Sequence, residues 1–186
     1  CLDANTSGTS NTAMGADALS GNTTASNNTA VGKSALGANT TGTENVAVGA
    51  ESLESNTTGN ENVAVGYRAL EGNTTGATNT ALGDRALASN TTASNNTAVG
   101  NNALVENTTG TYNTAMGHGA LSTTATVNAN TGIGYNALRL CTGQQNAAVG
   151  YESGGSVSTG TDNVLIGQRA ANYQNNLTSG SDNTVI

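Results

Sequence analysis

Residues 45–61 read NVAVGAESLESNTTGNE, and most of the chain is a variation on this phrase. Its leading Asn recurs at Asn11, Asn28, Asn45, Asn62, Asn79, Asn96, Asn113 and Asn130 in steps of seventeen residues. It returns at Asn146 after sixteen, at Asn163 after seventeen and at Asn183 after twenty. Written N-[TV]-A-[VML]-G-x-x-[AS]-L-x-x-N-T-T-[GA]-x-x, the unit defines seventeen columns. A fixed period of this kind marks a stacked architecture, in which each unit buries its apolar residues against its neighbours.

Three columns decide the local structure. Column 5 is Gly in every complete copy, from Gly15 to Gly167, which marks a bend or a close backbone approach. Column 4 is apolar, with Met14, Val31, Val48, Val65, Leu82, Val99, Ile133, Val149 and Ile166, and column 9 is Leu from Leu2 to Leu138. Columns 2 to 4 are expected to form a short strand, with columns 2 and 4 on one face and the Ala of column 3 on the other. A second strand is expected through columns 8 to 10, and a short extended piece over the Thr pair of columns 13 and 14. Helix is disfavoured, because seventeen residues are too few for a helical hairpin and each unit carries Gly and Asn-Thr-Thr.

The resulting expectation is an all-β chain: a β-solenoid, or β-roll, of about ten coils stacked at roughly 4.8 Å, with a thin core of Val, Leu, Met and Ala. One solenoid covers residues 1–186, regular over 1–162, with an irregular terminal coil and the start of a further coil over 163–186. The register begins in column 8 and ends in column 4. The rod is therefore expected to continue at both ends or to be covered there by neighbouring subunits.

Composition agrees with a repeat rather than an ordinary domain. The chain has 25 Gly, no Pro, Trp or Phe, and 9% charged residues, where an ordinary domain has about 25%. Disorder is the competing reading of such a polar chain, but disordered repeats have no need of fixed apolar columns. A net charge of −7 disfavours nucleic acid and anionic membranes as partners. No enzyme is expected: His118, the sole His, stands in variable column 6, and the twelve acids and five bases scatter over variable columns. Glu44, Glu61, Asp162 and Asp182 each precede a column-1 Asn, yet the Gly-Gly-x-Gly-x-Asp pattern of calcium-binding β-rolls is missing. No cofactor or metal site is assigned.

The polar columns carry two readings. Asn5, Asn22, Asn39, Asn56, Asn73, Asn90 and Asn107 in column 12 each begin N-T-T or N-T-S, an N-glycosylation sequon, and are candidate glycan sites. The same Asn suit turns and stacked amide ladders. The Thr pairs from Thr23-Thr24 to Thr108-Thr109 resemble the displayed Thr of ice-binding solenoids, although alternation would turn one of each pair inward. Cys1 and Cys141 lie eight coils apart, roughly 38 Å in a straight stack, far beyond the reach of one disulfide. They are candidates for an intermolecular bridge, with two unrelated free thiols as the alternative. The twenty-residue copy is expected to bulge around Tyr173 to Ser179 and to offer a contact for another subunit.

The phrase N-T-A-V-G-x-x-A-L resembles the head repeats of trimeric autotransporter adhesins (YadA-like, N-S-V-A-I-G-x-x-S) and related repeats of phage tail-fibre-type proteins, across essentially the whole chain. The period of seventeen and the added N-T-T depart from that pattern. The resemblance implies a left-handed β-roll, association of three chains, and a secreted, cell-surface or virion-surface location. The expected role is a structural subunit of an extracellular filament or adhesive fibre that associates with itself. A receptor-binding adhesin or tail-fibre shaft, with a host-surface or glycan ligand, and an ice-binding solenoid are the alternatives.

Overall fold

The computed structural model describes residues 1–171 and 178–186. Its strands are β1 (Thr12–Met14), β2 (Thr29–Val31), β3 (Val46–Val48), β4 (Val63–Val65), β5 (Thr80–Leu82), β6 (Thr97–Val99), β7 (Thr114–Met116), β8 (Thr131–Ile133), β9 (Ala147–Val149), β10 (Val164–Ile166) and β11 (Thr184–Val185). They form one parallel sheet in sequence order. Each step of the register is one coil: Ala47 pairs with Ala64, and Ala64 with Ala81. The chain is a β-solenoid, as the repeat implies.

The core differs from the one expected. Columns 2 and 4 do share a face, but that face is the outer one. Ala47, Ala64, Ala81 and Ala98 of column 3 are fully buried, whereas Val48, Leu82, Met116 and Ile166 of column 4 are exposed. The interior is built from the Ala of columns 3 and 8 and the Leu of column 9. Space decides this. At Gly132, which replaces Ala in column 3, a methyl group would already come within 3.2 Å of Leu121 Cγ. An inward Val has no room opposite Leu.

The expected second strand is a turn instead. Leu19, Leu36, Leu53 and Leu70 have φ of 50° to 53°, in the left-handed region. That conformation costs roughly 1–2 kcal/mol for a non-glycine residue. Full burial of a Leu side chain contributes about 1.5–3 kcal/mol, which offsets it. The turned backbone also reaches the next coil, as in Leu53 N–H donating to Ala69 O at 3.0 Å. Column 7 and column 17 residues such as Glu51 and Glu61 are left-handed too, and their N–H groups donate to the preceding coil, at Lys33 O and Thr43 O. The Thr pair forms a bend rather than an extended piece. Thr57 N–H and Thr57 Oγ1 both donate to Thr74 O, at 2.9 and 3.0 Å. Column 5 needs Gly for two reasons: Gly66 has φ of 134°, and a Cβ there would lie 2.5 Å from Gly83 O.

Candidate interaction surface

Two interior ladders of Asn hold the coils in register and so fix what the outside presents. In column 12, Asn73 Nδ2 donates to Asn56 Oδ1 at 2.8 Å and to Gly76 O at 2.9 Å, and its own Oδ1 accepts from Asn90 Nδ2. In column 1, Asn62 Oδ1 accepts from Asn79 N–H at 3.0 Å, while Asn62 Nδ2 donates to the same Gly76 O at 2.9 Å. From Ala25 to Gly110, each column-15 carbonyl thus spends both lone pairs on amides of two different columns. The column-1 ladder runs from Asn11 to Asn183. The column-12 ladder stops at Asn107, because Thr124 and Cys141 follow it, and Asn107 Oδ1 is left buried without a partner.

This geometry removes six of the seven candidate glycan sites. Asn22, Asn39, Asn56, Asn73, Asn90 and Asn107 are fully buried, and the Nδ2 atom that would carry a sugar is already donating two hydrogen bonds. A glycan there is incompatible with the folded coil. Asn5 is exposed, with Nδ2 donating to Gly8 O. Cys1 is exposed and Cys141 fully buried, and both are free. Burial raises the Cys141 thiol above its ordinary value, against hydrogen bonds to Gly143 and Asn146 that lower it. A bridge between subunits through Cys141 would require its coil to open.

The exposed counterpart of these ladders is the outer face of the sheet. Column 4 presents Met14, Val48, Leu82, Met116, Val149 and Ile166 outward, with Val31, Val65, Val99 and Ile133 half-buried between them. Column 2 adds Val63 and Val164 among Thr such as Thr80 and Thr97. Eleven strands at about 4.8 Å give a stripe on the order of 50 Å long. With two ranks about 7 Å apart, the face covers on the order of 500 Å², of which the column-4 rank is the apolar part and column 2 is mostly Thr. The Thr pairs contribute less: the column-13 hydroxyls are committed to carbonyls, and one exposed rank remains, including Thr41, Thr58 and Thr75.

After this stripe come columns 6 and 7, where aromatic rings and charge collect. Arg68 Nε meets Glu51 Oε2 at 2.6 Å and Glu71 Oε2 at 3.7 Å, and its guanidinium lies 5.0 Å from the Tyr67 ring centre. The hydrogen bond from Arg68 is the main cause that holds the Glu51 carboxyl below its ordinary value, with partial burial opposing it. Arg169 repeats the arrangement with Glu152 at 2.9 Å and the Tyr151 ring at 5.7 Å. The carboxylates of Glu51, Glu54 and Glu71 converge within 4.8 Å, but Arg68 supplies the opposing charge, so they form an ion-pair cluster rather than a cation site. Glu44, Glu61, Asp162 and Asp182 are exposed corner residues of separate coils.

His118 is exposed as expected, but it is not isolated. It stacks on Tyr135 at 5.3 Å between ring centres, and Tyr135 stacks on Tyr151 at 5.2 Å with the planes 9° apart. The sequence carried the sign of this stack, since 118, 135 and 151 all occupy column 6 of successive coils. Of the expected bulge at Tyr173 to Ser179, residues 173–177 lie outside the described residues, and Thr178 and Ser179 are exposed. Ser158 N–H donates to Thr178 O, which puts Thr178 back in column 13. No helix among the described residues is long and apolar enough to cross a membrane. No family model, curated protein or solved structure matches the chain.

Proposed function

We propose that this chain is a structural subunit of an extracellular filament or adhesive fibre, and that it associates with copies of itself through the outer face of its sheet. The observation that carries this reading is the outward apolar rank of column 4, which recurs in every coil. The occupant is a second copy because the stripe is periodic: its apolar residues repeat once per coil along the rod. A partner with the same coil spacing can seat its side chains between them over the full length, whereas a partner of another period falls out of step after a few coils. Two such stripes facing one another bury about 1,000 Å² in total, near the lower bound for a specific interface, and a closed trimer buries more. The extracellular setting and the trimer rest on the likeness of N-T-A-V-G-x-x-A-L to adhesin-head repeats.

One observation favours a second reading. The Thr of column 2, as at Thr80, Thr97, Thr114 and Thr131, recur in four successive coils beside the apolar rank, a spacing that would let their hydroxyls order water at ice. Sedimentation velocity and electron microscopy test the first reading, with Val65→Lys and Val99→Lys placed together on the stripe. The expected result is association in the parent chain and monomers in the variant, with circular dichroism unchanged. A parent chain that stays monomeric at high concentration refutes it, and thermal hysteresis in that monomer would favour the second.

A further inference from the structure

Five Tyr occur in the chain, and among the described residues Tyr135 and Tyr151 are the two whose rings stack on each other. Both stand in column 6 of consecutive coils, paired in register through Thr131 and Ala147. Both are exposed, at 43% each. Tyr67 and Tyr112 have no such neighbour among the described residues.

These two coils also depart from the consensus interior. The coil from Asn130 to Gln145 has sixteen residues, and column 12 carries Cys141 there and Val157 in the next coil. The column-12 amide ladder is therefore missing there while the column-1 ladder continues, and Gly154 takes the place of the column-9 Leu, with Leu138 and Leu165 packed against it. The outer aromatic stack adds a second side-chain contact between the two coils, beside the interior one of Asn146 Nδ2 with Asn130 Oδ1.

We propose that Tyr135 and Tyr151 form an oxidative cross-linking site, at which a one-electron oxidant of the haem peroxidase class, fed by hydrogen peroxide, joins the two coils through dityrosine. Each phenol gives up one electron and its phenolic proton, leaving a neutral tyrosyl radical. The two radicals couple through the ring carbons ortho to oxygen. The hydrogens on those carbons then move to the phenolic oxygens and restore both aromatic rings. The two electrons and two protons released reduce one hydrogen peroxide to two waters.

Geometry supports the coupling. A carbon–carbon single bond is about 1.5 Å, so the rings must tilt until their outer edges touch. The ring torsion of Tyr is broad, and both rings stand on the exposed side of the coil. Arg169 lies over the Tyr151 ring, so the neighbouring ring open to Tyr151 is that of Tyr135.

Tryptic digestion gives a direct readout, because cleavage after Arg85, Arg139 and Arg169 places Tyr135 in peptide 86–139 and Tyr151 in peptide 140–169. Dilute protein is treated with peroxidase and hydrogen peroxide, digested, and measured by mass spectrometry and dityrosine fluorescence. The expected product is the two peptides joined, lighter than their sum by two hydrogens, with fragment ions placing the bond at Tyr135 rather than Tyr112. Tyr135→Phe and Tyr151→Phe keep a ring in the stack, and each is expected to abolish the joined peptide. Absence of the link in the parent chain overturns the proposal. So does a link that survives in either variant, or one whose yield rises with protein concentration as coupling between copies would require.

Discussion

Replacing one interior Asn in the middle of the column-12 ladder and one at its end should give very different costs, even though the two side chains look alike. Asn73→Ala removes an acceptor and a donor from a continuous chain of amides. Asn56 Oδ1 loses the hydrogen bond from Asn73, and one N–H of Asn90 loses its acceptor, while Gly76 O keeps its bond from Asn62. Two buried polar groups are stranded at about 1–3 kcal/mol each, for a total of roughly 2–6 kcal/mol. Asn107→Ala strands Asn90 Oδ1, but it also deletes Asn107 Oδ1, which is already without a partner. The number of stranded acceptors does not change. What remains is lost packing and the bond to Gly110 O, on the order of 1 kcal/mol. Urea unfolding, read together with hydrogen exchange in the affected coils, measures the difference. Equal costs for the two variants, or a larger cost for Asn107→Ala, would refute the ladder as the source of coil cohesion.

Thiol labelling under native conditions should modify the exposed Cys1 rapidly and leave the buried Cys141 untouched until denaturant is added; native labelling of both would contradict the closed coil around Cys141. The Glu51–Arg68 pair sets a pH dependence of defined sign. Arg68 lowers the folded pKa of Glu51, so the contribution of the pair is fully present above the ordinary value of 4.5 and is lost as pH falls through the lower folded value. Acid titration of stability in Glu51→Gln should lack this component, a small difference for a pair so near the surface.

The architecture was readable in the sequence because its evidence is additive over many copies. Gly15 to Gly167 in column 5 and Leu2 to Leu138 in column 9 state the bend and the filled interior again in each coil. Which face of the strand points inward was not readable from alternation, since V-A-V satisfies a period of two in either sense. The size of Leu in column 9 decides it, and that is a contact between columns rather than a property of the strand. Columns 8 to 10 misled for a related reason. Leu is a poor candidate for positive φ on its own, and it adopts that conformation because burial and a bond to the next coil outweigh the local cost. The sequon in column 12 was legible as a pattern, but a pattern does not say whether the Asn faces out. Burial at Asn73 and its neighbours turns the same three letters into an interior ladder.

A structure in which each coil offers its neighbours the same partners has no local means of counting. Asn62 would bond as well to Asn45 as to any other column-1 Asn presented at that height. During folding, a coil that skipped one repeat would therefore find an almost identical docking site and leave seventeen residues looped out. The departures from the consensus break that equivalence. A sixteen-residue coil at Asn130, Cys141 and Val157 where Asn is the rule, and Gly154 in place of Leu occur in one place each. They act as landmarks along an otherwise unmarked rail, and the coils they identify are the ones that fix every other coil to its own address.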